Sequence, residues 1–286
     1  MKPLIVLLAC LLLAPFTFAQ DFIKSLRTGT PEQVQAAIDG GAKVSERIKD
    51  FSNMTPLMIA SKYNQNKEVI ATLLKAGARV NDKTDKQETA IMFAAWYNPN
   101  AEVITTLLAA GANANDRNPH GFTPLNRAAL NNENPEVIAT LLKAGARIEG
   151  DKDFDGNTPL TNAAAHNPNP GTISVLLEAG AKVDEPEATG KTPLMKASMA
   201  NKNPEVITTL LGAGAKIDDK DPNGLTALMW AAWQNQNPEI VAVLLKAGAD
   251  GKMKSGDNKT AFDYAANNDK LKDTDPYEAL RKAAGE

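Results

Sequence analysis

The chain has 286 residues, 43% hydrophobic and 23% charged, with 31 basic and 34 acidic residues and a net charge of −3. That balance gives no electrostatic reason to bind nucleic acid, and no Lys/Arg stripe stands out along the sequence. Cys10 is the only cysteine, so an internal disulfide framework is excluded.

The first predicted element is a targeting segment. Lys2 precedes an apolar run from Leu4 to Phe18, and Thr17 and Ala19 put small residues three and one positions before a cut ahead of Gln20. This is the pattern of a secretory signal peptide over residues 1–19. Leu7-Leu8-Ala9-Cys10 competes as a lipoprotein-like motif, but cleavage there would leave Leu11, Leu12 and Leu13 heading the mature chain. As an anchor the run falls short of the roughly 20 apolar residues that a spanning helix needs. Cleavage after Ala19 leaves 30 basic and 34 acidic residues, no membrane span and no thiol. The expectation is an exported protein, periplasmic or extracellular, and a disulfide-free one suits a bacterial periplasm.

Residues 20–286 read as one domain built from a repeat. Residues 21–51 form an N-terminal cap: Phe22, Ile23 and Leu26 give an apolar face, and Thr30-Pro31-Glu32-Gln33 opens a second helix with a capping box that Gly40-Gly41 closes. Thr-Pro-Leu or a variant then starts at Thr55, Thr89, Thr123, Thr158, Thr192, Thr226 and Thr260, at steps of 34 or 35 residues. A glycine follows 22 residues after each of the first six, at Gly77, Gly111, Gly145, Gly180, Gly214 and Gly248. A fixed period in this range is the signature of a solenoid. In one unit, Thr192 caps a short helix from Pro193 to about Ala200, and Asn203-Pro204-Glu205 starts a second. Val206, Ile207, Leu210 and Leu211 make that helix's apolar stripe, Gly214 ends it, and a polar finger leads to the next threonine. Nine and eleven residues after the first six threonines stand asparagines, among them Asn201, suited to a left-handed turn, and Asn203, suited to a cap. Six full units span about residues 50–255, and from Gly256 to Glu286 the pattern decays into a C-terminal cap whose last helix runs from about Pro276 to Ala284.

These helix–turn–helix–finger units, with Thr-Pro-Leu, Ala-Ala, Leu-Leu and Ala-Gly-Ala in register, resemble ankyrin repeats. The resemblance implies an all-α solenoid of stacked helix pairs with projecting fingers. Its units are one residue longer than the family's usual length of about 33. Met58, Met92, Asn126, Thr161, Met195, Met229 and Asp263 stand where the family carries histidine, which predicts weaker capping of the first helix.

The resemblance also implies that the first-helix face and the fingers line a concave groove that binds a protein partner. Counting from each threonine, positions 2, 5, 6 and 9 cluster on a packing side, while positions 4, 7 and 8 cluster opposite and vary from unit to unit. The variable side holds Tyr63, Phe93, Trp96, Tyr97, Leu130, Met199, Trp230, Trp233 and Tyr264, and the fingers hold Phe51, Phe122 and Phe154. Phe93 and Trp230, at position 4, are the ones a neighbouring finger would bury. Tyr63, Phe93, Trp96, Tyr97, Phe122, Leu130, Phe154, Met199, Trp230 and Trp233 are the candidate partner-binding residues, since Trp and Tyr dominate binding hot spots.

Other chemistry has little footing. Asp151-Lys152-Asp153-Phe154-Asp155-Gly156 opens like a calcium loop, but its twelfth position is Asn162, which supplies no bidentate carboxylate. Asp151, Asp153 and Asp155 stand as a weak metal candidate against the reading of an acidic finger. His120 and His166 are single histidines, and no nucleophile or phosphate-binding motif is present. The expectation is a monomeric, non-enzymatic protein-binding module without cofactor; the alternatives are an envelope scaffold without a single partner, or a metal-dependent activity.

Overall fold

The computed structural model describes residues 20–150 and 152–286. The signal-peptide and Cys10 expectations, and Asp151, lie outside the described residues. The described residues form two compact units, one ending at Pro119 and one beginning at His120. Every regular element among them is helical, and a single isolated bridge pairs Ile48 with Met54.

In the first unit, residues 20–28 are helical and Pro31–Asp39 follows, closed by the reciprocal Thr30–Gln33 capping box. Two helix pairs come next: inner helices Pro56–Tyr63 and Ala90–Tyr97, and outer helices Lys67–Lys75 and Ala101–Ala109. In the second unit the inner helices are Pro124–Asn131, Pro159–His166, Pro193–Ala200, Ala227–Gln234 and Ala261–Ala265. Its outer helices are Pro135–Lys143, Pro170–Glu178, Pro204–Gly212, Glu239–Lys246 and Asp275–Ala284. Within each unit inner helices stack on inner helices and outer on outer.

Local chemistry explains these boundaries. The threonine hydroxyl accepts the third amide of its inner helix in every unit except that of Thr89, whose Oγ1 is buried without a partner. Capping therefore survives the loss of histidine. Four replacements also bond the threonine themselves: Met58 through its sulfur, which accepts Thr55 N, Asn126 and Thr161 through their side chains, and Asp263 through a carboxylate that accepts both Thr260 N and Thr260 Oγ1. Each outer helix after a threonine unit, from Lys67–Lys75 to Glu239–Lys246, ends on an alanine followed by a glycine at positive φ, as at Gly214 (φ 89°). There the next amide, Ala215 N, returns to Leu210 O at 3.0 Å.

The asparagines nine residues after each threonine do not adopt the left-handed conformation. Asn201 has φ −74° and ψ 141°, and its counterparts are likewise extended. Their side chains hold neighbouring repeats together instead. In the second unit, Asn201 Nδ2 donates to Ala164 O and to Asn167 O, both at 2.9 Å, while its Oδ1 accepts Asn203 N at 2.9 Å. Asn167 and Asn235 repeat the pattern one unit either side. Asn268, eight residues after Thr260, continues it into the decayed last unit. In the first unit Asn98 bonds Ser61 O and Asn64 O, and Asn64 bonds Gly29 O. All of these asparagines are buried. The asparagines at position 11 behave as expected: Asn203 Oδ1 caps the outer helix through Glu205 N at 3.0 Å, and its Nδ2 reaches Lys202's counterpart one repeat back, Pro168 O, at 2.8 Å.

Asn201→Ala would strand two carbonyls and an amide that water cannot reach, so it should cost roughly 3 kcal/mol or more. Asn203→Ala, at a wetter cap, should cost about 1 kcal/mol. Urea unfolding of the two variants checks this; equal losses would mean that the buried ladder adds nothing beyond capping.

Candidate protein-interaction surface

The inner helices separate residues that the fold consumes from residues that it leaves over. Alanine at position 5 and alanine or serine at position 6 are 0–1% exposed in the first six units. These small side chains let neighbouring inner helices approach closely. Positions 2 and 3 are equally buried in those units.

Position 4 differs from its expected place on the variable face. Ile59, Arg127, Asn162, Trp230 and Tyr264 are buried there, and Phe93 and Lys196 are half-buried. The cause is the base of the finger. Five residues before each threonine from Thr89 onward lies a buried polar group: Thr84, Asn118, Asp153, Glu187, Asp221 and Ser255. In three units it bonds the residue at position 4. Asp153 Oδ2 accepts Asn162 Nδ2 at 3.0 Å, Asp221 Oδ2 accepts Trp230 Nε1 at 3.1 Å, and Tyr264 Oη bonds Ser255 Oγ at 3.0 Å. Glu187 instead closes its own finger by accepting the amides of Thr189 and Lys191 and the Thr189 hydroxyl. Burial pushes the Glu187 carboxyl up, but these bonds and the Lys191 charge outweigh it and hold its pKa below the ordinary value.

What remains exposed is narrower than the sequence suggests. In the first unit it is a cluster of rings around cations. Tyr63 and Tyr97 are 38% and 40% exposed, Phe93 and Trp96 are half-buried, and Trp96 stacks on Tyr97 at 4.6 Å between centroids. Lys62 Nζ lies 4.3 Å from the Tyr97 centroid, 4.9 Å from Tyr63 and 6.0 Å from Phe93, and the Arg27 guanidinium stands 4.8 Å from Tyr63.

In the second unit Trp230, Trp233 and Tyr264 form a continuous stack, with centroids 5.4 and 5.5 Å apart. Trp230 is buried, fixed by Asp221, and serves as the platform; Trp233 is 41% exposed. The stack floors a cleft of about 940 Å³ whose walls include Lys220, Lys254, Ser255, Asp257 and Lys259. The other candidates of this unit lie elsewhere along the helices and fingers. Leu130 and Met199 are half-buried, the Phe122 ring lies 4.3 Å below the Arg127 guanidinium, and Phe154 projects from its finger 84% exposed. His166 sits at position 8, its pKa lowered by partial burial and by the Lys196 charge.

The calcium-like finger is braced from within. Asp153 is buried, and its carboxylate accepts Asp155 N, Asn157 N, Asn157 Nδ2 and Asn162 Nδ2. The position that lacked a carboxylate, Asn162, is thus the donor this aspartate holds, and Asp155 is exposed. Such a carboxylate fits a finger brace and not a metal ligand.

The sequence reading missed the lysines. Lys220 and Lys254 belong to a basic column six residues before the threonine, with Lys49, Lys83, Arg117 and Lys152; Lys191 and Lys259 lie immediately before it. Members of a column 34 or 35 residues apart never form a charge run, so only the repeat register reveals them. Lys83 and Lys152 pair with finger acids, Asp116 at 3.8 Å and Glu185 at 2.8 Å.

Asp221→Ala should destabilise the protein by roughly 1–3 kcal/mol, because it strands two finger amides and the Trp230 indole N–H. Thermal unfolding with tryptophan emission checks it: a lower Tm with red-shifted native emission is expected, and an unchanged Tm would remove the brace from the account.

Comparison with known proteins places this architecture. A family model described as "Ankyrin repeats (3 copies)" matches at residues 57–152, 125–221 and 197–274. No curated protein matches the chain. Among solved structures, the crystal structure of the human ASB11 ankyrin repeat domain is similar, with a TM-score of 0.70 and 25% identity over 80% of this chain and 98% of that one. Ankyrin repeats are generally protein–protein interaction modules, typically non-enzymatic scaffolds. No helix among the described residues is long and apolar enough to cross a membrane. Repeat register, helix-pair stacking and family match converge: the chain belongs to the ankyrin-repeat family.

Proposed function

We propose that this chain is an exported, non-catalytic ankyrin-repeat protein that captures a protein partner on its inner-helix and finger surface. The observation that carries the reading is the fate of its aromatic residues. The constant frame is built from alanine, leucine, isoleucine, valine and methionine, and needs no large ring at positions 7 and 8. Yet Tyr63, Trp96, Tyr97 and Trp233 stand there, partly open to solvent: Trp96 stacks on Tyr97, Trp233 stacks on Trp230, and Tyr63 lies against Lys62 and Arg27. Rigid, half-open tryptophan and tyrosine lose little conformational freedom on binding and bury much area, which is why they dominate hot spots. Trp230 supplies support under the exposed Trp233 ring.

Trp96→Ala and Trp233→Ala should each weaken capture of the native partner by about tenfold or more, the equivalent of ~1.4 kcal/mol or above. Affinity pull-down with the purified variants, alongside thermal melts, checks this. Retained capture by the double variant would overturn the reading, and so would a collapse of Tm in both single variants, which would make the rings core.

Export is proposed on the sequence alone, from the Leu4–Phe18 run and the small residues at Thr17 and Ala19. N-terminal sequencing of protein recovered outside the cytoplasm should begin at Gln20. An intact Met1 terminus would overturn it.

A further inference from the structure

The charge around the aromatic rings opposes the charge of the chain. The protein carries a net −3, yet most of the exposed charged side chains lining the cleft at the Trp230–Trp233–Tyr264 stack are lysines. Lys220, Lys254 and Lys259 are all exposed. Lys220 Nζ donates to Lys254 O at 2.8 Å, an uncharged acceptor that leaves its charge uncompensated. Of the acids in the cleft, Asp221 is buried with its carboxylate saturated by Asn223 N, Leu225 N and Trp230 Nε1. Only Asp257 remains exposed there. Just beyond the cleft the exposed Asp263 carboxylate, bonded to Thr260, feels the charges of Lys254 and Lys259. Three accessible cations thus face two accessible anions around an aromatic floor, a net positive balance.

The rings repeat the message. Lys191 Nζ lies 4.9 Å from the Trp230 centroid and Lys259 Nζ 5.8 Å from that of Tyr264, so the negative ring faces already hold cations. A basic segment entering the cleft would meet like charge and find the Trp230 and Tyr264 faces already taken. A neutral apolar segment would cover the lysines and strip their hydration without compensation. A segment that carries carboxylates meets neither cost. In the first unit, considered by itself, Lys62 and Arg27 give its ring cluster the same sign.

We propose, building on the partner-binding reading above, that the cleft floored by Trp230, Trp233 and Tyr264 takes an acidic segment of the protein partner. Carboxylates of that segment pair with Lys220, Lys254 and Lys259, and an apolar side chain next to them covers the exposed edge of Trp233. The lysines steer and select; the tryptophan supplies the buried area.

Selection of a random peptide library displayed on phage against the mature protein tests this. Enrichment of sequences with several Asp or Glu flanking an apolar residue is expected. The strongest such peptide, synthesised, should lose roughly tenfold or more in affinity to K220E/K254E/K259E, since each exposed pair contributes about 0.2–1 kcal/mol and reversal turns attraction into repulsion. It should also weaken as salt rises. Circular dichroism melts verify folding of the variant, and K220Q/K254Q/K259Q substitutes if reversal perturbs it. Enriched peptides without acidic excess that still require Trp233 would overturn the acidic partner and leave the groove reading standing. Binding that Trp233→Ala does not alter, or no enrichment, would overturn both. Displacement of the peptide by a single-stranded DNA oligonucleotide would overturn the proposal in favour of nucleic acid.

Discussion

The structure depends on how the turn between the two helices of each repeat satisfies its buried backbone. That turn exposes carbonyls toward the neighbouring repeat, where water has no access. A side-chain amide at position 9 meets them: its NH₂ reaches two carbonyls one repeat back, and its oxygen accepts the amide two residues on. Asparagine has two donors and an acceptor on a short stem, and no other neutral side chain of that length offers both. The interaction is directional, so it also sets register. Within each unit, a repeat locks at one height against the last, and the small residues at positions 5 and 6, alanine or serine, are buried between neighbouring inner helices.

The constraint propagates outward. Because the stacking is fixed at the turn, a finger returns over the start of its own inner helix, and in three units its buried polar residue bonds position 4. Asp221 with Trp230, Ser255 with Tyr264 and Asp153 with Asn162 are chemically different answers to one geometry. In each, a donor on the helix meets an acceptor on the finger. The brace decides which aromatics are free: it withdraws Trp230 and Tyr264 into the frame and leaves Trp233 lying on them.

Much of this was legible in the chain. The spacing of the threonines gave the solenoid, and Thr-Pro at helix starts and glycine at positive φ gave helix ends that match the structure to within a residue or so, as at Pro193–Ala200. Cap chemistry is local, so it can be read locally. The role of the asparagines was not legible, because asparagine suits a left-handed turn as well as it suits a ladder, and the partners that choose between them lie 33 to 38 residues away. The lysines of the cleft escaped for the same reason: fingers that are neighbours in space are a full repeat apart in sequence.

The sequence by itself determined the family, the period, the caps and the identity of the variable positions, all properties of one repeat and its copies. Tertiary structure alone decided which variable residues face solvent, how Trp230 and Trp233 divide into support and contact, and which charges surround them. Those follow from where a finger lies on a helix, a relation between segments that no local pattern contains.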